Sequence, residues 1–170
     1  MENILFSEFK IKDRIQQIAV DISRDYSIKE TPLVIGVLKG SFMFTTDLIR
    51  HISIPVMIDF IEVKSYKGTE STGDPIITKQ LTESVLGKNV ILTDCIIDTG
   101  YTLDFLIKYL KSRGVKSIST AVLIDKGCKR KVPVKIDYKG FDLDNKFAVG
   151  YGTDYLQLYR NLPYIKELKT

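Results

Sequence analysis

Asn89-Val-Ile-Leu-Thr-Asp-Cys-Ile-Ile-Asp-Thr-Gly-Tyr-Thr102 is the stretch on which the fold turns. Asn89 to Ile97 is apolar and rich in β-branched residues. It is too short for a buried helix of ordinary length and reads as an interior strand. Asp98-Thr-Gly-Tyr follows as a tight turn. Thr102 to Arg113 then spaces Leu103, Leu106, Ile107 and Leu110 along one helical face, and Gly114 stands where a C-terminal cap belongs. Lys116 to Asp125 returns to strand character, with Ile118, Ala121, Val122, Leu123 and Ile124. Strand, helix and strand joined by short connections predict a parallel, right-handed βαβ unit.

Working outward, the same pattern recurs. Ile11, Ile15, Ile18, Ala19, Ile22 and Tyr26 predict an amphipathic helix over Phe9 to Tyr26 with Ser7 as N-cap. Pro32 opens a short buried strand, Leu33 to Leu38. Phe42 to Ile52 is helical again, and Pro55 to Val63 reads as a strand, as do Val134 to Tyr138 and Phe147 to Tyr151. Ser65 to Lys79 has glycines, a proline and many hydroxyl residues but no hydrophobic period. A loop of that length in a compact chain points to a mobile lid. The fold class expected is α/β, one domain over residues 1–170, with a mostly parallel twisted sheet flanked by helices.

Composition narrows the chemistry. With 170 residues, 44% hydrophobic and 27% charged, the chain can bury a core without disulfides or metal. No apolar run spans a bilayer, and the N-terminus carries no secretory pattern, so no membrane association is expected. Cys95 and Cys128 have no metal-ligand spacing and suit a reducing cytoplasm. His51 is the single histidine, which excludes multi-histidine zinc hydrolases; it reads as a helix C-terminal residue favoured by the dipole. The net charge of +4 fits an anionic small substrate, and the basic stretch Lys126 to Lys135 reads as a solvated loop between strands rather than a nucleic-acid footprint.

Ligands of open α/β sheets bind beyond the carboxyl ends of the strands. Asp94, Asp98, Thr99, Gly100 and Thr102 lie there together. Gly100 permits close backbone approach, the helix N-terminus favours an anion, and the threonines add hydroxyls. A phosphate fits that cradle. The aspartates suit groups beside it, such as sugar hydroxyls, Mg²⁺ or an acidic ring N–H. Together they suggest a phosphorylated sugar.

Val90 to Leu103 resembles the phosphoribosyl diphosphate (PRPP) motif of the type I phosphoribosyltransferases. Four further segments narrow the resemblance to the hypoxanthine-guanine branch. Leu38-Lys-Gly-Ser-Phe42 is similar to the pyrophosphate loop, with its typically cis Leu–Lys peptide, and Ser65-Tyr66 to the lid pair. Asp125-Lys126 is similar to the strand end with the purine-selecting lysine. Lys146 to Tyr155 with Arg160 is similar to the purine-stacking and metal segment.

The resemblance implies a small hood over the sheet and one reaction: PRPP plus hypoxanthine or guanine gives IMP or GMP and pyrophosphate. By it, Asp98 is the general base, and Asp94, Asp98, Thr99, Gly100, Tyr101 and Thr102 hold the ribose 5′-phosphate. Lys39, Gly40 and Arg160 take pyrophosphate, and Ser65 and Tyr66 close over the site. Lys126, Phe147 and Ala148 read the purine, and Asp154 with Asp94 holds Mg²⁺. It also implies a homodimer or homotetramer. Two positions depart from the family. Cys95 replaces the second of two adjacent acids, which predicts weaker PRPP handling, and Tyr101 replaces a common lysine. The alternatives are a xanthine-accepting transferase and an RNA-binding regulator of the same fold, the latter using Lys126 to Lys135.

Overall fold

The computed structural model describes residues 3–65 and 75–169. A six-stranded sheet runs β4-β3-β2-β5-β6-β7, with β2 Leu33–Leu38, β3 Met57–Ser65, β4 Pro75–Lys79, β5 Asn89–Ile97, β6 Ser117–Asp125 and β7 Tyr138–Asp142. All its pairings are parallel except β3 with β4. The expected βαβ unit is present: β5 and β6 pair from Asn89↔Ser117 to Ile97↔Asp125, and α3, Tyr101–Ser112, crosses between them. Its Leu103, Leu106 and Leu110 are buried on one side of the sheet. Each such burial stabilises by roughly 1.5–3 kcal/mol relative to exposure. Gly114, at φ 76°, ends the helix with its N–H on the Lys111 carbonyl.

The other side of the sheet is covered by α1, Glu8–Asp25, and α2, Phe42–His51. Ser7 caps α1 by accepting from the Lys10 N–H, as its position predicts. Exposed His51 is the last residue of α2, where the helix dipole favours it. Beneath α2, Thr45 and Thr93 share a buried hydroxyl contact of 2.6 Å, which ties the helix following β2 to the centre of β5. Among the described residues, no helix is long and apolar enough to cross a membrane.

A second, three-stranded sheet joins β1 (Ile4–Phe6), β9 (Ile165–Glu167) and β8 (Ala148–Val149) in the order β1-β9-β8. It forms the hood, bound to the main body partly by Phe6 stacked on Phe141 at 4.4 Å.

Several boundaries differ from the sequence expectation, most by one or two residues. The strand expected at Val134 to Tyr138 is instead Tyr138–Asp142, because the Thr120 hydroxyl takes the Lys135 carbonyl and the Asp137 carboxylate takes the Thr120 N–H before pairing with β6 begins. The strand expected over Phe147 to Tyr151 shortens to Ala148–Val149, since Gly150 (φ 108°) turns the chain away. α3 begins at Tyr101, one residue early. Within the span 65–79, Ser65 closes β3 and Pro75–Lys79 is an edge strand rather than loop; the lid residue Tyr66 lies outside the described residues.

Candidate active site

The chain steps from β2 outward to β3 on one side and from β5 outward to β6 on the other. Between β2 and β5 the strand order therefore reverses, and a crevice opens at their carboxyl ends. Three strand ends deliver the expected residues there: Lys39 and Gly40 after β2, Asp98 after β5 and Lys126 after β6. The Leu38–Lys39 peptide is cis, matching the expected pyrophosphate-loop signature.

A cavity of about 330 Å³ brings Lys39, Gly40, Asp98 and Lys126 together with Phe147, Ala148, Asp154 and Arg160 from the hood side. A second cavity of about 190 Å³ adjoins it, sharing Asp94 and Asp98, and is lined by Thr99, Gly100 and Thr102. Gly100 adopts φ 90°, and its carbonyl accepts from the Asp104 N–H as α3 begins. Tyr101 is half-exposed and lines neither cavity. Of the expected lid pair, Ser65 contributes its backbone to β3.

The electrostatics divide the site. Lys126 is buried, and its Nζ stands 3.5 Å from Oδ1 of the half-exposed Asp98. Burial pushes Asp94 up to about 7; the Cys95 amide opposes this and the nearby Asp98 charge adds to it. Cys95 lies one residue on along β5, so its side chain leaves the strand on the opposite face from Asp94, yet it too lines the cavity of about 330 Å³. Its thiol donates to the Tyr151 carbonyl at 3.7 Å, and burial pushes its pKa upward, so it stays neutral. The sequence-level view of a lost acid at this position thus gains a partner: the thiol serves the hood turn.

That turn is built from residues the sequence did not single out. Gly150 and Thr153 bridge each other, and Tyr151 between them has φ 50°, a left-handed conformation a tyrosine rarely adopts. It is held by its N–H on the Leu162 carbonyl and by its hydroxyl donating to Asp47 of α2. Gly152, at φ 95°, lies so close to the Gly40 carbonyl that a Cβ would collide with it. No local motif announces Asp47 or Tyr151, because their contact spans two distant segments.

Arg160 forms the other wall. It donates to the Gly152 carbonyl at 2.7 Å and pairs with Asp154 at 2.7 Å, while Asp154 also accepts from the Gln157 N–H. Phe147 is 43% exposed, leaving an aromatic face open beside the edge of Tyr155 at 5.8 Å. Among the described residues, no three histidine, cysteine or acidic side chains converge as a metal site. Asp154 and Asp94 offer hard oxygen donors of the kind Mg²⁺ takes when substrate phosphates supply the remaining ligands.

The basic stretch Lys126 to Lys135 does not present a uniform charged face. Lys126 is buried at the site, Arg130 pairs with Asp125, and Lys135 pairs with Asp137 at 2.5 Å. The RNA-binding alternative is left with Lys129, Lys131 and Lys135 at the surface, without Lys126 and Arg130.

Comparison with known proteins agrees with this geometry. The family model described as "Phosphoribosyl transferase domain" matches residues 4–156. The hypoxanthine-guanine phosphoribosyltransferase of Bacillus subtilis is 41% identical over 170 residues, 99% of this chain and 94% of that protein. The bifunctional protein TilS/HprT of Listeria innocua is 42% identical over 170 residues, and there the chain spans only 26% of the relative's length. The crystal structure of a hypoxanthine-guanine phosphoribosyltransferase from Bacillus anthracis superposes with a TM-score of 0.93 at 41% identity, covering 99% of both chains. With its crevice at the β2/β5 reversal and these relatives on either measure, the chain belongs to the phosphoribosyltransferase family, in the hypoxanthine-guanine branch.

Proposed function

We propose that the chain is a purine-salvage transferase that converts PRPP and hypoxanthine or guanine into IMP or GMP, releasing pyrophosphate. The observation that carries this reading is the Lys126–Asp98 pair, set between a phosphate-sized cavity ringed by Thr99, Gly100 and Thr102 and an open aromatic face on Phe147.

In the reaction a bond forms between C1′ of the ribose and a nitrogen of the five-membered purine ring, while the bond from C1′ to the pyrophosphate oxygen breaks. Asp98 takes the proton that the ring nitrogen gives up, and its charge steadies the positive sugar in the transition state. Lys126 donates to the 6-oxo group; adenine's amine cannot accept that bond. Phe147 stacks on the base, with the Ala148 backbone beside its pyrimidine edge. Asp94 accepts from a ribose hydroxyl, and Thr99, Gly100, Tyr101 and Thr102 clasp the 5′-phosphate. Lys39, Gly40 and Arg160 receive the leaving pyrophosphate. Asp154, with Asp94, would hold Mg²⁺, which offsets the charge on pyrophosphate when bound. Ser65 and Tyr66 as a closing lid, self-association as a dimer or tetramer and a cytoplasmic location belong to the same reading, on the family resemblance.

A spectrophotometric assay with PRPP, Mg²⁺ and each of hypoxanthine, guanine, xanthine and adenine tests it. Turnover with the first two and none with adenine is expected. Absence of pyrophosphate release with every base would overturn the assignment.

A further inference from the structure

Of the basic run Lys126 to Lys135, the proposed chemistry uses only Lys126, yet the run's middle is folded against the back of the phosphate turn. Arg130 donates from Nε to the Asp98 carbonyl at 3.1 Å and pairs through Nη2 with Asp125 at the end of β6. Both side chains are mostly enclosed, at 17% and 15% exposure. The next two amides, of Lys131 and Val132, both donate to the Thr99 carbonyl, at 2.9 and 3.1 Å. Gly100 presses on the same segment: a Cβ there would stand 2.8 Å from the Val132 carbonyl and 3.0 Å from Cδ of Arg130.

A trans peptide points its C=O and the following N–H in opposite directions. With the Asp98 carbonyl drawn to Arg130 and the Thr99 carbonyl drawn to residues 131 and 132, the N–H groups of Thr99 and Gly100 face the other way. Arg130, Lys131 and Val132 do not line the cavity of about 190 Å³ formed by Thr99, Gly100 and Thr102. Among the described residues, neither N–H has a protein acceptor. Two aligned free amides are what a phosphate requires.

We propose that Arg130 is a positioning residue, which fixes the peptide planes of Asp98 and Thr99 so that the Thr99 and Gly100 amides meet the 5′-phosphate. It touches no substrate. The identity of the phosphate as that of a ribose 5-phosphate rests on the proposed function. Lysine in its place reaches either Asp125 or the Asp98 carbonyl, but lacks the fork that serves both.

The test compares wild type with Arg130→Lys, Arg130→Met and Arg130→Gly, using calorimetric binding of ribose 5-phosphate, KM values for PRPP and hypoxanthine, and melting temperature. Arg130→Lys is expected to stay folded, weaken ribose 5-phosphate binding and raise the PRPP KM by roughly 10- to 100-fold, the worth of a hydrogen bond to a charged group. The hypoxanthine KM should change less. Added guanidinium should restore part of the PRPP affinity of Arg130→Gly and leave wild type unaffected, which a purely structural role would not produce. Unchanged ribose 5-phosphate affinity and PRPP KM in folded Arg130→Lys and Arg130→Met would overturn the proposal. So would losses that guanidinium does not repair. Wild-type protein that binds ribose 5-phosphate in an Arg130-dependent way but releases no pyrophosphate would retire the proposed reaction and keep the clamp. Wild-type protein that fails to bind it would retire the clamp.

Discussion

The buried ammonium of Lys126 lies 3.5 Å from the half-exposed carboxylate of Asp98. A lysine this enclosed requires a partner, and without substrate Asp98 supplies it. A purine's 6-oxo group would share the ammonium and free Asp98 for the ring nitrogen. Lys126→Met should therefore raise the hypoxanthine KM roughly 10- to 100-fold and narrow the preference over adenine. Comparing kcat/KM for the two bases in wild type and variant checks this; an unchanged preference would assign selectivity elsewhere.

Asp94 gives the protein a pH dependence of defined sign. Burial raises it to about 7 in the folded chain, against about 3.9 for an unperturbed aspartate. Between those values the folded state holds a proton that the unfolded state has lost. The stability that Asp94 contributes is therefore fully present below about pH 4, falls as pH rises toward 7 and is gone above it. Melting temperatures from pH 5 to 8 should decline in wild type and stay flatter in Asp94→Asn. Parallel curves would show that Asp94 does not retain its proton.

Cys95→Asp sets affinity against stability. The new carboxylate adds an acceptor where the family carries its second acid, so the PRPP KM should fall roughly 10- to 100-fold. It also places a charge near Asp94 and replaces a thiol that donates to the Tyr151 carbonyl, so the melting temperature should drop. Steady-state kinetics beside a thermal melt reads both. No change in the PRPP KM would mean the acid's absence is without consequence here.

Gly152→Ala should be among the most damaging small substitutions in the molecule. At φ 95° an alanine is strained, and its methyl has no room beside the Gly40 carbonyl. Relief has to come from the Lys39–Gly40 turn, which the proposed reaction uses for pyrophosphate. The PRPP KM should rise more than the hypoxanthine KM, and inhibition by pyrophosphate should weaken. Equal losses in both would place the damage in the fold as a whole.

Legibility in the sequence followed the range over which each element is decided. β5, α3 and β6 were readable because their apolar spacing and the Asp98–Gly100 turn are local, and the residues of the candidate site sit largely at those boundaries. β1 and β9, of three residues each, are too short to carry a period. β4 was hidden by Pro75, which an edge strand tolerates, and β7 was displaced by side-chain bonds from Thr120 and Asp137. The contacts of Arg130 with Asp98 and of Tyr151 with Asp47 have no local signature. Only the folded chain brings them together.

The hood pairs β1 at one end of the described chain with β9 at the other, and β8 leans on β9 alone. During synthesis, the strand ends that carry Lys39, Asp98 and Lys126 emerge before the segments that carry Phe147, Ala148 and Arg160. The β8 strand beside Phe147 must wait for Ile165–Glu167 to pair. The wall with the open aromatic face is therefore the last part of the candidate site whose strands can all find their partners.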